Sequence, residues 1–130
     1  MTIEANKDGV KFSCNGDIGN GAVTLRSHQD IEKEENNIDI ELSEPVSLTF
    51  SLKYLVNFCK AQALSGKVKI CLSNEVPLLV EYGLAGSSYL RFYLAPKVRD
   101  AATSVSVFLF LFFAYFFTNL FRVTQIGDDE

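Results

Sequence analysis

The chain has 130 residues, 48% of them hydrophobic, and a formal net charge of −4. These values fit one domain with an apolar core, and the acidic balance excludes a chain coated in positive charge for nucleic acid, although a local basic face is still allowed. Three cysteines without CxxC spacing and a single histidine argue against a zinc site. We find no phosphate-binding loop, nucleophile motif or pair of catalytic carboxylates, so the sequence predicts neither an enzyme nor a cofactor.

The first part of the chain is predicted to form short strands separated by turns. Asn6–Gly9 and Asn15–Gly16 carry hairpin signals. The polar, mostly acidic run His28–Asn37 is typical of an exposed loop. Between these breaks, apolar residues alternate with polar ones in the predicted strands Val10–Cys14, Ile18–Ser27 and Ile38–Leu42.

The one convincing helix, Leu52–Lys60, follows an alternating strand at Val46–Phe50. Its apolar face recurs at i, i+3, i+4 and i+7 through Leu52, Leu55, Val56 and Cys59. Ser51 is the predicted N-cap, and Phe50 and Leu55 are spaced as a hydrophobic staple. The opposite face carries Lys53, Asn57 and Lys60, and no acidic residue interrupts it. Such a face is typical of a solvated helix and also suits contact with phosphate, and the residues alone leave both interpretations open.

Three more strands are predicted after the helix, at Val68–Leu72, Val76–Tyr82 and Tyr89–Leu94. About seven strands with short turns and one short helix predict an α+β fold, in which the helix packs on one face of a mostly antiparallel sheet. The cysteines all lie in apolar patterns, which predicts buried thiols and a reducing compartment for Cys14, Cys59 and Cys71.

Five collinear segments resemble the C-terminal half of the eukaryotic sliding clamp, the proliferating cell nuclear antigen family. They are KDGVKFS, GDIGNG, EPVSLTFSLKYL, VPLLVEY and YLAPK, at residues 7–13, 16–21, 44–55, 76–82 and 93–97. The resemblance implies a DNA-clamp-like fold over residues 1–98, as an incomplete C-terminal clamp domain. It also implies a homotrimeric ring that encircles duplex DNA, serves as a processivity factor for DNA polymerase, and works in the nucleus.

The resemblance further implies a role for individual residues. The helix would line the central hole, with its basic face towards phosphates, through Lys53, Asn57 and Lys60. A strand that pairs with the next subunit would include Ile18, Gly21, Val23 and Leu25. One wall of the pocket for clamp-interacting peptides would be formed by Pro77, Tyr93, Ala95 and Pro96. Lys7 matches the lysine that accepts ubiquitin or its relatives. Without the resemblance, these positions are interpreted as an interior strand, ordinary strand-end residues and an exposed turn.

The resemblance implies that the ring takes part in DNA replication, leading-strand elongation, mismatch repair and translesion synthesis. Its partners would be duplex DNA, bound without sequence preference, and polymerases and other proteins that carry the clamp-interacting peptide. The alternative is a truncated clamp relative that acts as a membrane-anchored or regulatory interaction protein, or has no function.

The last segment, residues 99–130, departs from the family pattern. From Ala101 to Phe121 there are 21 consecutive uncharged residues, seven of them Phe. A helix of that length spans the ~30 Å hydrocarbon core of a bilayer. We therefore expect an apolar C-terminal helix, which would be a membrane anchor, a helix packed on the domain, or an extension without selected function. The same run also suits aggregation-prone strands.

Overall fold

The computed structural model describes residues 1–74, 76–97 and the backbone of 121–124. Nine strands and one α-helix lie in these ranges, together with short 3₁₀ turns. The strands are β1 Thr2–Asn6, β2 Gly9–Gly16, β3 Gly19–Leu25, β4 Ile40–Glu41, β5 Val46–Thr49, β6 Val68–Cys71, β7 Leu78–Gly83, β8 Tyr89–Leu94 and β9 Phe121–Thr124. The helix α1 is Leu52–Cys59, and a 3₁₀ turn at Lys60–Leu64 continues it.

The first sheet contains four antiparallel strands in the order β3-β2-β1-β5. Its registers place Ile3 opposite Phe12 and opposite Leu48. Because side chains alternate between the faces of a strand, this register gathers the apolar residues on one face. That face is buried and includes Ile3, Ala5, Val10, Phe12, Cys14, Leu25 and Val46.

The turn between β1 and β2 is closed by a local side-chain bond. The amide of Asp8 donates to Oδ1 of Asn6 over 2.8 Å, an Asx-type bond that fixes the turn. Gly9 follows with φ of +133°, and a Cβ built there would lie 2.1 Å from the carbonyl oxygen of Leu25. The hairpin signal at Asn6–Gly9 is therefore confirmed, and glycine is required by both the backbone angle and the neighbouring strand.

The second sheet contains five strands in the order β4-β9-β6-β7-β8. The pairs β6–β7 and β7–β8 are antiparallel, whereas β9 runs parallel to both β4 and β6. The inner face of this sheet contributes Val68, Ile70, Leu78, Val80 and Tyr82 to the core.

One core joins both sheets and the helix. Leu52, Leu55, Val56 and Cys59 of α1 are buried in the same cluster as residues of the two sheets. The predicted apolar face of the helix is thus confirmed, and so is the α+β class. Ser51 occupies the N-cap position, but its hydroxyl makes no capping hydrogen bond, so the predicted cap is wrong in its chemistry. The predicted staple residue Phe50 is fully buried.

Some predicted turns and strands differ from those observed. The tight turn predicted at Asn15–Gly16 is displaced, because both residues belong to β2 and the chain turns at Asp17 and Ile18. The run Ile38–Leu42 forms only the two-residue strand β4, and Ile38 instead makes an isolated bridge with His28 across the acidic loop. The strand predicted to start at Ile18 starts at Gly19, because Ile18 lies in the hairpin turn and is 87% exposed. The predicted apolar C-terminal helix lies outside the described residues except for Phe121, which begins β9. Within the part of the chain that the structure describes, we find no helix with the length and apolarity needed to cross a bilayer.

We predict that Gly9→Ala destabilises the protein by at least about 1–3 kcal/mol, because the new methyl group meets a backbone carbonyl at a left-handed φ. Urea unfolding followed by circular dichroism measures the change. The matched control is Gly66→Ala, where no atom lies within 4 Å of the added Cβ. Equal stability losses for the two variants would contradict the explanation.

Candidate nucleic-acid interface and partner surfaces

The polar face of α1 forms a basic ridge, which we define as Lys53, Asn57 and Lys60. All three side chains are exposed. Lys53 and Asn57 lie within α1, and Lys60 is its C-cap residue and begins the 3₁₀ turn. The helix has no acidic residue in its first turn, so the ridge keeps a net positive charge within an acidic protein. Such a surface attracts the phosphate backbone without contacting bases.

The ridge is held in place by aromatic contacts behind it. The hydroxyl of Tyr82 on β7 donates to the carbonyl oxygen of Phe58 over 3.1 Å. The rings of Phe58 and Phe92 stack with centroids 4.6 Å apart and an interplanar angle of 9°. Tyr82 meets Phe92 edge-on at 6.3 Å. Because these contacts come from two neighbouring strands, they fix the helix against the second sheet and leave its basic side facing outward.

Burial raises the pKa of two titratable groups, Cys59 on the buried face of α1 and Tyr82 behind it. Desolvation raises the pKa of the Cys59 thiol to about 12. Desolvation also raises the pKa of the Tyr82 hydroxyl, and the nearby Cys59 adds to that shift. Both groups therefore stay protonated at neutral pH. All three cysteines are free and buried, as the sequence predicted, and a raised pKa makes a thiol a poor nucleophile.

The predicted peptide-pocket residues come together at one end of the β7–β8 pair. The register sets Leu78 opposite Leu94 and Leu79 opposite Tyr93. Pro77 directly precedes the paired region on one strand, and Ala95 directly follows it on the other. Tyr93 is 62% exposed, and Pro77 and Ala95 are also exposed while Pro96 is half-buried. The four residues thus form a small, largely apolar surface.

A backbone hydrogen bond fixes this surface to the first sheet. The amide of Lys97 donates to the carbonyl oxygen of Thr49, at the end of β5, over 2.7 Å. Sequence reasoning missed this bond, because nothing in the letters of the 93–97 segment indicates which carbonyl its amides reach.

The residues predicted for a subunit interface lie on or beside β3. This strand is the terminal one of its sheet, so its outer backbone edge has no strand neighbour among the described residues. Gly21, Val23 and Leu25 sit opposite core residues of β2, and Leu25 is itself buried. The surface that β3 offers to another chain is therefore its backbone edge, with Ala22 and Thr24 exposed, and Ile18 lies in the turn before it.

Lys7 occupies the middle of the β1–β2 turn and is exposed. The Asx-type bond joins the two residues that flank Lys7 in sequence, Asn6 and Asp8.

A polar cluster that the sequence did not reveal lies on β8. Arg91 pairs with Glu81 of β7, and its guanidinium lies over the Tyr89 ring, 3.9 Å from the ring centroid. The hydrogen bond to Glu81 is the main cause that raises the pKa of Arg91.

The chain matches one known protein family over most of its length. The family model of the proliferating cell nuclear antigen C-terminal domain matches residues 1–97. The proliferating cell nuclear antigen of Chaetomium thermophilum is 81% identical over 100 residues, which cover 77% of this chain and 39% of that relative. The chain therefore spans about two fifths of the relative's length.

We predict that Tyr82→Phe lowers the free energy of unfolding by about 0.5–1.5 kcal/mol, because one hydrogen bond to the helix is lost while the ring is retained. Urea unfolding at neutral pH measures this change. An unaltered stability would contradict the anchoring role of the hydroxyl.

The same variant should also flatten the pH dependence at high pH. Burial raises the pKa of Tyr82 above its ordinary value of 10.0 in the folded protein, so the unfolded chain releases this proton first. The contribution of Tyr82 to stability is then complete below about pH 10 and falls as the pH rises. Unfolding midpoints between pH 9 and 11.5 test this, and parallel pH profiles for the two proteins would refute it.

Proposed function

Because the chain belongs to the proliferating cell nuclear antigen family through that family's C-terminal domain, we propose that it acts as a non-enzymatic sliding-clamp component on duplex DNA. In this role it raises the processivity of DNA polymerase and tethers replication and repair partners in the nucleus. The observation that carries the proposal is the exposed basic ridge on a helix anchored from behind by Tyr82 and Phe92.

The physics of sliding explains why a basic ridge suits this role. A clamp must be attracted to the DNA backbone everywhere and held to no particular sequence, so its contacts go to phosphates rather than to base edges. Two lysines on one helix give weak, salt-dependent attraction. Repetition of the ridge around a ring provides a diffuse positive lining, while the net charge of −4 limits binding elsewhere.

The open edge of β3 supports assembly with other clamp chains. An exposed strand edge presents unpaired amide and carbonyl groups and readily pairs with another strand. We propose that this edge, bounded by the turn at Ile18 and by Leu25, joins the next subunit of a clamp ring of the homotrimeric type. The exposed position of Lys7 in a turn supports its role as a modification site.

The surface formed by Pro77, Tyr93, Ala95 and Pro96 is proposed to bind clamp-interacting peptides. Tyr93 offers a large, exposed aromatic side chain of the kind that dominates binding energy at interfaces. The backbone hydrogen bond from Lys97 to Thr49 anchors the segment that follows Tyr93.

We predict that Lys53→Glu with Lys60→Glu weakens binding to duplex DNA and reduces the slope of log affinity against log salt by about 2, because two phosphate contacts are lost. Fluorescence anisotropy with a labelled duplex at several salt concentrations measures both effects. In a reconstituted clamp assembly, the double variant should also lower polymerase stimulation.

The matched control is Lys33→Glu with Lys67→Glu, which makes the same change in net charge at two exposed lysines away from α1. The control should affect DNA binding much less, and both double variants should unfold at similar urea concentrations, since all four side chains are exposed. Equal weakening by the two double variants would show that net charge matters and the ridge does not.

We predict that Tyr93→Ala weakens binding of a synthetic clamp-interacting peptide by about tenfold, because an exposed aromatic anchor is removed. Isothermal titration calorimetry measures the affinity. Tyr89→Ala is the control, since Tyr89 lies on the same strand with a similar exposure of 57%. Equal losses for the two variants would place the peptide elsewhere.

A further inference from the structure

Among the described residues, the place between β4 and β6 in the second sheet is occupied by β9, which comes from the far end of the chain. The strands β4 and β6 do not pair with each other, and β9 lies between them. The family match covers residues 1–97, so β4, β6, β7 and β8 all lie inside it and β9 lies outside. The family-like part of the chain therefore leaves a slot one strand wide in its own sheet.

The backbone on one side of this slot belongs to the core. Val68 and Ile70 of β6 are only 1% and 2% exposed. An unpaired edge at this position would leave amide and carbonyl groups of a core strand without partners, which is costly and favours pairing with any suitable extended segment. Ile40 on the other side packs against the same core.

The register of β9 fits its amino-acid pattern. Phe121 and Val123 are in register with Val68 and Ile70, and Arg122 is in register with Lys69. The apolar positions of the segment thus match buried positions of β6, and its charged position matches a partly exposed one. A slip by one residue would exchange the two sets, so the pattern disfavours that slip.

The chain can reach the slot from its own β8. Both β8 and β6 run antiparallel to β7, so β8 is parallel to β9. A connection between parallel strands needs a dozen or more residues, and residues 95–120 provide more than that.

We propose that the gap between β4 and β6 is a strand-acceptor site for an extended peptide running parallel to β6, and that residues 121–124 of the same chain are its tethered ligand. The four-residue strand is bound through its main chain, in register with both β4 and β6. A short strand bound in this way exchanges with free peptide of the same sequence. This site is separate from the basic ridge and does not rest on the proposed DNA function.

A designed disulfide tests whether the tethered strand occupies the slot. In the full chain, Lys69→Cys with Arg122→Cys places two thiols at register partners. Neighbouring strands lie about 4.8 Å apart, a spacing that a disulfide can bridge. Mild oxidation should produce an intramolecular bond, visible as a faster monomer band on non-reducing gels. The control, Lys69→Cys with Val123→Cys, puts the second thiol on the other face of the strand and should form little of it.

Peptide exchange tests the acceptor property. Val123→Pro removes an amide from the residue that is in register with both Ile40 and Ile70, so hydrogen exchange of the β6 amides should accelerate at least about tenfold while those of β1 and β2 stay protected. A free peptide of residues 118–127 should restore the protection of the β6 amides in the Val123→Pro variant. In the unaltered chain the tethered strand already fills the slot, so about tenfold or more peptide should be needed to change exchange there. The same peptide with proline at position 123 should not restore protection in the variant.

The proposal is overturned if the Lys69–Arg122 thiol pair forms no bond, forms it no faster than its control, or forms it mainly between two chains. It is also overturned if Val123→Pro leaves exchange of the β6 amides unchanged, or if the peptide fails to restore protection. If the proline variant exposes all amides together, it has unfolded, and the disulfide pair alone decides between the outcomes above.

Discussion

The burial of one face of α1 in the core that it shares with both sheets is the interaction on which the rest of the structure depends. Leu52 and Leu55 are 2% and 1% exposed, and burying each leucine contributes about 1.5–3 kcal/mol. The helix has only eight residues, which is too short to be stable by itself in water. Its basic ridge therefore exists as an ordered surface only because the sheet behind it is formed.

The local pattern of the sequence was sufficient for most of the fold around this interaction. The change from a period of two at Val46–Phe50 to helical spacing at Leu52–Cys59 predicted β5 and α1 closely, because both periods reflect one buried face. The exposure of Lys53, Asn57 and Lys60 followed from the same spacing. The proposed role of these residues in DNA binding did not follow from the spacing, because a solvated helix shows the same pattern. That proposal rests on the resemblance to the family.

Other parts depend on contacts between distant residues and could not be predicted from the sequence. The alternation at Ile38–Leu42 is regular, yet β4 has only two residues, because its pairing partner comes from near the other end of the chain. The division into two sheets was also missed, since short turns indicate antiparallel neighbours but do not show where one sheet ends. Ser51 shows the limit of local rules in another way, because it has the residue type and backbone of an N-cap but makes no capping bond.

The hydrogen bond from Lys97 to Thr49 gives the domain a short mechanical path. Ala95 and Pro96 lie immediately before its donor, and Phe50 and Ser51 are the only residues between its acceptor and the start of α1. Tension applied to the end of β8 thus reaches the N-terminus of α1 through a few covalent bonds and one hydrogen bond. It need not pass through the acidic loop or the tight turns, where a chain yields most easily. Force applied at the surface formed by Pro77, Tyr93, Ala95 and Pro96 is therefore transmitted to the segment that leads into α1 and its basic ridge.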